Sequence, residues 1–191
     1  MTYDKYADNY DQRYQSVVSR VENCIIRGKL LEHGIDKKDT VLDFGCGTGF
    51  LLDLIDFKGV SYFGVDVSDK MIAIARDKHP SKSFVKMAAS NVYHGSADAV
   101  VSLFSIPYIG LEGVSSAYRN LKPDGIFFCV YYEKPYKSPD SVYYKRPLKY
   151  KLCVAPKVKK VIAECDRFFE RIDSIPICQG YRLAVYRRNE K

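Results

Sequence analysis

The sequence predicts an α/β fold: a doubly wound sheet of about seven mostly parallel strands, helices on both faces, and an antiparallel hairpin at the C-terminal edge. Three observations predict it. From Thr40 onward, short β-rich runs alternate with segments of helical period. The stretch TVLDFGCGTGFLLDL, which spaces glycines two apart, joins the first run to the first such segment. Two β-rich runs also flank Gln179-Gly180, the pattern of a hairpin.

Taken in order, Tyr3, Tyr6, Tyr10 and Tyr14 recur at intervals of three and four, which stacks them along one side of a helix over residues 2–15. Val17, Val21, Cys24, Ile25 and Leu31 continue the helical spacing into a second helix that Gly34 breaks. Residues 40–44 read as a strand, 49–57 as a helix and 60–65 as a strand, after which Ser68 caps a helix over 69–78 that stops before Pro80. The alternation continues with strands at 83–87 and 98–104, a helix at 111–121 and a strand at 125–132. It then fails in EKPYKSPDSVYYKRPLKYKLCV, residues 133–154, which reads as an excursion from the sheet. A helix at 157–168 and strands at 169–178 and 181–187 complete the reading.

With 191 residues the chain suits one domain, 1–191, whose segment 1–15 is expected to be a lid and 133–154 a substrate-region insertion. No stretch is apolar enough for a signal peptide or a membrane span, so a cytoplasmic protein is expected, with no membrane partner. The six cysteines form no C-x-x-C pair and read as reduced core thiols; the spacing of Cys153, Cys165 and Cys178 fits no zinc pattern, so no metal is expected. The net charge of +7 is unevenly placed: residues 1–132 hold 15 Lys+Arg against 16 Asp+Glu, and residues 133–191 hold 15 against 7. That asymmetry hints at an anionic small molecule, nucleic acid or an acidic partner.

The glycine stretch sits where open α/β sheets bind ligands, at the first strand-to-helix turn. No lysine follows the glycines as a triphosphate loop requires, and Phe50 stands where a dinucleotide fingerprint would put its third glycine. Asp43 would repel a diphosphate but favour an ammonium or sulfonium. Asp66, ending the next strand, suits the two hydroxyls of a ribose. S-adenosylmethionine meets both demands.

VLDFGCGTG, FGVDVSDKMIAIAR, DAVVSLFSIPYI and YRNLKPDGIFF resemble, in order and spacing, the signatures of the class I S-adenosylmethionine-dependent methyltransferases, especially the small-molecule group that includes quinone-biosynthesis enzymes. The resemblance covers residues 1–132 and implies a Rossmann-like fold and methyl transfer. It implies that Gly45, Cys46 and Gly47 approach the methionyl part and that Asp43 organises its ammonium. Asp66 would bind the ribose, Val67 and Met71 would flank adenine, backbone at Ala89 and Ser90 would contact the ring, and main chain around Leu103 would receive the ammonium. Ala88 departs from the pattern, since relatives carry an acid there for the adenine amino group; Asn91 is the candidate replacement. SIPY, residues 105–108, nearly matches the box of amino-methylating enzymes, but Ile106 replaces its first proline, and a plain loop is expected.

Methyl transfer from a sulfonium chiefly needs alignment and exclusion of water. Tyr108 is expected to face the transferred methyl, and Tyr10 to close over it with the tyrosine stripe, because YDKYADNYD resembles the family's opening. Should the acceptor need a base, His94, Glu133 and the tyrosines are candidates. The expected acceptor is a small anionic or aromatic molecule. A nucleic acid bound by the basic, Tyr-rich C-terminal third and a non-catalytic S-adenosylmethionine-binding module are the alternatives. The sequence leaves the oligomeric state open.

Overall fold

The computed structural model describes residues 4–14, 16–133 and 148–189. Ser16 caps the first helix, α1 (Val17–Glu32), its Oγ accepting the Ser19 N–H at 3.1 Å, and Gly34 in the left-handed region ends it. The helix is where the spacing predicts it, but its inner face is not. Ser19, Glu22, Ile26 and Leu30 are buried, while Val17, Val21, Cys24 and Leu31 are exposed. Apolar periodicity locates the helix and misassigns its face, because a buried serine and glutamate sit on the inward side.

β1 (Thr40–Phe44), α2 (Phe50–Leu54), β2 (Ser61–Asp66), α3 (Asp69–Lys78) and β3 (Ser83–Lys86) follow. Then come β4 (Ala97–Leu103), α4 (Ile106–Asn120), β5 (Leu121–Tyr132), α5 (Leu148–Phe168), β6 (Glu170–Pro176) and β7 (Tyr181–Arg187). The seven strands run in the order β3-β2-β1-β4-β5-β7-β6. β3, β2, β1, β4 and β5 pair in parallel, and β7 lies antiparallel between β5 and β6. The expected edge hairpin is there, with its second strand inside the sheet.

Alternate residues of β1 feed opposite layers. Val41 packs with Ile26 and Leu30 of α1, Leu51 of α2 and Ile72 of α3. Leu42 and Phe44 pack with Val114 and Ala117 of α4 and with Val158, Val161 and Cys165 of α5. Both faces of the parallel strands are therefore covered, which explains their near-continuous apolar runs.

Four expectations change. Two 3-10 turns, Asp4–Asn9 and Asp11–Tyr14, replace the predicted helix at residues 2–15. Asp and Asn compete for nearby backbone bonds and weaken a helix interior, and Asp4 and Asp11 are engaged by other elements. α2 stops at Leu54. The 105–108 stretch is the first turn of α4 rather than a loop, and Gly110, at φ 66° and ψ −170°, separates it from the rest of the helix. α5 begins at Leu148, inside the 133–154 excursion, whose other residues beyond Glu133 lie outside the description.

The turn before β4 is fastened to the end of α4 by one buried side chain. Asn120 accepts the N–H groups of His94 and Gly95 and donates to the carbonyls of Val92 and Ser116, each at 2.8 Å. Removing it orphans two donors and two acceptors. Asn120→Ala is expected to cost ~2–3 kcal/mol of unfolding free energy in urea titrations at pH 7; a loss under ~0.5 kcal/mol would mean the turn is held otherwise.

Candidate functional site

β1 and β4 are neighbours at the centre of the sheet, and the chain leaves them toward opposite sides, which opens a crevice beyond their C-terminal ends. Two adjoining cavities of about 270 and 230 Å³ occupy it and share Tyr10, Gly45, Gly47, Leu103 and Phe104. Phe104, the residue that leaves β4, holds a left-handed φ of 59°. Strain of this kind persists where surrounding structure imposes it.

The three glycines of the loop answer to different neighbours. A Cβ on Gly45 would lie 2.5 Å from the Cβ of Ser105, whose hydroxyl donates to Phe44 O at 2.6 Å. On Gly49 it would lie 2.7 Å from the His79 ring. Gly47, at φ 55°, would meet nothing within 4 Å and lines both cavities. Two glycines thus serve the packing of the loop against α3 and α4, and one leaves its backbone open to the crevice.

Asp66 ties the loop to the second strand. Its Oδ2 accepts the Gly47 N–H at 3.0 Å and its Oδ1 the Ser68 N–H at 2.9 Å. Burial raises its pKa above the ordinary carboxylate value, against the pull of those backbone donors. Asp43 is buried and accepts the Tyr62 hydroxyl at 2.7 Å. Burial pushes its pKa up to about 7, with the Tyr62 hydrogen bond opposing and Asp66 adding to the rise. Asp66 lines the larger cavity and Asp43 the smaller.

Acidic side chains pin the N-terminal segment beside the crevice. Asp11 accepts the Thr48 hydroxyl at 2.6 Å and pairs with Lys78 at 2.8 Å, and Lys78 also holds Asp53 at 2.7 Å. Asp4 accepts the Ser68 hydroxyl at 2.5 Å, so the cap of α3 is shared with this segment. Between these anchors Tyr10 reaches both cavities. Of the other tyrosines in the stripe, Tyr3 lies outside the described residues, as do the side chains of Tyr6 and Tyr14.

All twelve residues expected at the site line one cavity or both. Asp43 and Cys46 line the smaller one, and Asp66, Val67, Met71, Ala89, Ser90 and Tyr108 the larger; Tyr10, Gly45, Gly47 and Leu103 are shared. Asn91 does not reach either cavity; its Oδ1 accepts the Ser90 hydroxyl at 3.2 Å. His94 lines neither, and Glu133 is paired with Arg182 at 2.8 Å. Sequence reasoning missed Phe104, Glu112, Tyr132 and Tyr181, which complete the larger cavity. The rings of Phe104 and Tyr181 meet edge to face at 4.9 Å, and those of Tyr132 and Tyr181 at 5.5 Å. Three of these four come from separate strand ends, which no local motif links.

Residues 42–129, spanning the glycine loop, both acids and the β4 end, match the methyltransferase domain family. Over that stretch the chain is similar to the methyltransferase domain family. It is 32% identical over 128 residues to an uncharacterized protein of Methanocaldococcus jannaschii, an overlap that covers 65% of this chain and 48% of that one. It is 29% identical over 152 residues to the demethylmenaquinone methyltransferase of Symbiobacterium thermophilum, covering 70% of this chain and 59% of that enzyme. The chain thus spans about half the length of the curated relatives it matches. In fold it is similar to the magnesium protoporphyrin IX methyltransferase of Synechocystis with bound S-adenosylhomocysteine, with a TM-score of 0.69 at 15% identity and 97% of each chain covered.

The crevice fits the methyltransferase cofactor. Gly47 leaves open space beside bare backbone, and the buried Asp43 and half-buried Asp66 offer their carboxylates to a sulfonium and a ribose. No Lys, Arg or His is among the described residues lining either cavity, so no side-chain cation competes for them.

Because its folded pKa is raised, Asp43 keeps a proton that the unfolded chain releases, so stability falls as pH rises from about 4 to about 7 and the loss is complete above that. Asp43→Asn removes this loss while keeping an acceptor for Tyr62. Relative to the parent, the variant is expected to gain about 4 kcal/mol more at pH 8 than at pH 4 in urea unfolding. An equal difference at both pH values would contradict the buried-proton account.

Proposed function

We propose that the chain is an S-adenosylmethionine-dependent methyltransferase acting on a small-molecule acceptor. The observation that carries this reading is the pair of cavities joined at Gly45, Gly47, Leu103 and Phe104, with Asp43 in one and Asp66 in the other. When bound, the cofactor would supply an electrophilic methyl on a sulfonium sulfur, to be taken by the acceptor with S-adenosylhomocysteine as the leaving group.

The chain's residues bind, align and keep water out. Asp66, with one oxygen on Gly47 and the other on Ser68, has lone pairs left for the ribose hydroxyls. Val67 and Met71 flank the adenine, and backbone at Ala89 and Ser90 reaches its edge in place of the acid that Ala88 lacks. The Leu103 carbonyl and Asp43 take the ammonium end. Tyr108 and Tyr10 face the transferred methyl and offer ring electron density to a sulfonium. The segment 4–14 acts as a lid held by Asp4 and Asp11, and its closure removes water from the methyl's path. Single-domain organisation, with the acceptor pocket completed near residues 133–154, belongs to the same reading. Buried thiols at Cys46, Cys129 and Cys165 support residence in the reducing cytoplasm. Among the described residues, no helix is long and apolar enough to cross a membrane.

Calorimetry with S-adenosylhomocysteine tests the cofactor site. Asp66→Ala is expected to lower affinity about thirtyfold, as charge-assisted hydrogen bonds are lost; unchanged binding by this variant combined with Asp43→Asn would defeat the assignment. Asp11→Ala frees one end of the lid, and stopped-flow release of the same ligand should quicken about three- to tenfold. A rate equal to the parent's would show that the segment does not gate the crevice.

A further inference from the structure

We propose that α1 is a contact surface between two copies of this chain, which pair with their α1 helices parallel about a twofold axis; the proposal does not depend on the methyl-transfer chemistry. Val17, Val21, Cys24, Gly28 and Leu31 follow one another at intervals of four, three, four and three. That is the heptad spacing of a helix seam, with Val21 and Gly28 at its a positions and Val17, Cys24 and Leu31 at its d positions. At 3.6 residues per turn the five lie within an arc of roughly 80°.

The seam points away from the domain. Ser19, Glu22, Ile26 and Leu30 occupy the opposite, buried side, whereas Val17, Val21 and Leu31 are 71%, 47% and 39% exposed and Cys24 is exposed as well. A Cβ on Gly28 would meet nothing within 4 Å. Glycine weakens a helix interior, and no turn or described neighbour calls for it at this position. At an a position it lets a second backbone come close. The helix is already fixed to the domain through Ile26 and Leu30, so pairing two heptads does not have to nucleate it.

The flanking charges select the partner and its direction. Arg20 and Arg27 take the g positions and Glu32 an e position, all three exposed. Lys29 lies one step further round, held by Asp173 at 2.9 Å, and Glu32 stays 59% exposed while it bonds Lys29. In a parallel pair each g residue stands beside the e residue five further along the other helix, so Arg27 of each copy meets Glu32 of the other. An antiparallel pair would set g against g, and Arg20 against Arg27. Valine at a with leucine at d also suits two strands. The seam therefore complements a second copy of itself in one orientation.

Sedimentation velocity of the full chain in reducing buffer, from about 1 to 500 μM, tests this. The contact is small, and the parent is expected to dimerise with a dissociation constant of about 10–100 μM. Arg27→Glu and Glu32→Arg each place like charges at both g–e contacts, and each alone should weaken the dimer about tenfold. Mixed in equal amounts, the two variants should associate within about threefold of the parent, because both contacts of the mixed dimer then join opposite charges. Val21 is exposed, so Val21→Asp keeps the fold and should abolish association over the same range. Melting curves establish that each variant is folded before mixing; should Glu32→Arg not fold, Val21→Asp and Arg27→Glu decide the matter. A parent that stays monomeric throughout, a dimer that Val21→Asp leaves intact, or one that Arg27→Glu tightens or leaves unchanged would overturn the proposal. So would a mixture of folded variants no tighter than either alone.

Discussion

The organisation of the crevice depends on two carboxylates held at the ends of adjacent parallel strands with no side-chain cation between them among the described residues. Asp43 and Asp66 are both desolvated, and each raises the cost of ionising the other or the groups nearby. Neutral donors bear that load: the Tyr62 hydroxyl for Asp43 and backbone N–H groups for Asp66. Hydrogen bonds of this sort hold an acid in place without cancelling its field. A lysine in the same place would have quenched the attraction for an incoming positive group.

Cations are present nearby, but one layer out. Lys78 lies between Asp11 and Asp53, and Lys70 beside Asp8, so the positive charge near the glycine loop binds the N-terminal segment rather than the crevice. The same segregation holds at the far side of the sheet, where Arg182 is spent on Glu133. Net charge therefore says little about the electrostatics of the cleft: the chain is strongly basic, and the cavities it describes are acidic.

Most of the sheet was legible because alternation of strand and helix is a local property with few solutions. The cofactor side was legible for the same reason, since Asp43, Gly47 and Asp66 sit at fixed offsets from strand ends. What escaped was whatever depends on distant partners. The inner face of α1 carries Ser19 and Glu22 beside Ile26 and Leu30, while Val17, Val21 and Leu31 look outward, which blurs the rule that periodicity uses. The 3-10 turns at the N-terminus arise where Asp4 and Asp11 meet Ser68, Thr48 and Lys78, 37 to 67 residues away. Phe104, Tyr132 and Tyr181 meet only because β4, β5 and β7 lie side by side. Even Gly45 carried a half-right message: its missing side chain makes room for Ser105, and the approach to the crevice follows from that packing.

The placement of β7 between β5 and β6 bears on how the molecule is made. A chain emerging from the ribosome completes β6 before the strand that must separate it from β5 has been synthesised. Until residues 181–187 arrive, β5 offers an unpaired apolar edge, and β6 has no neighbour within the sheet. Docking of β7, with Leu183 to Tyr186 all buried, closes both edges in one event. The ring of Tyr181 joins those of Phe104 and Tyr132 only when β7, the last strand of the sheet in the chain, takes its place beside β5.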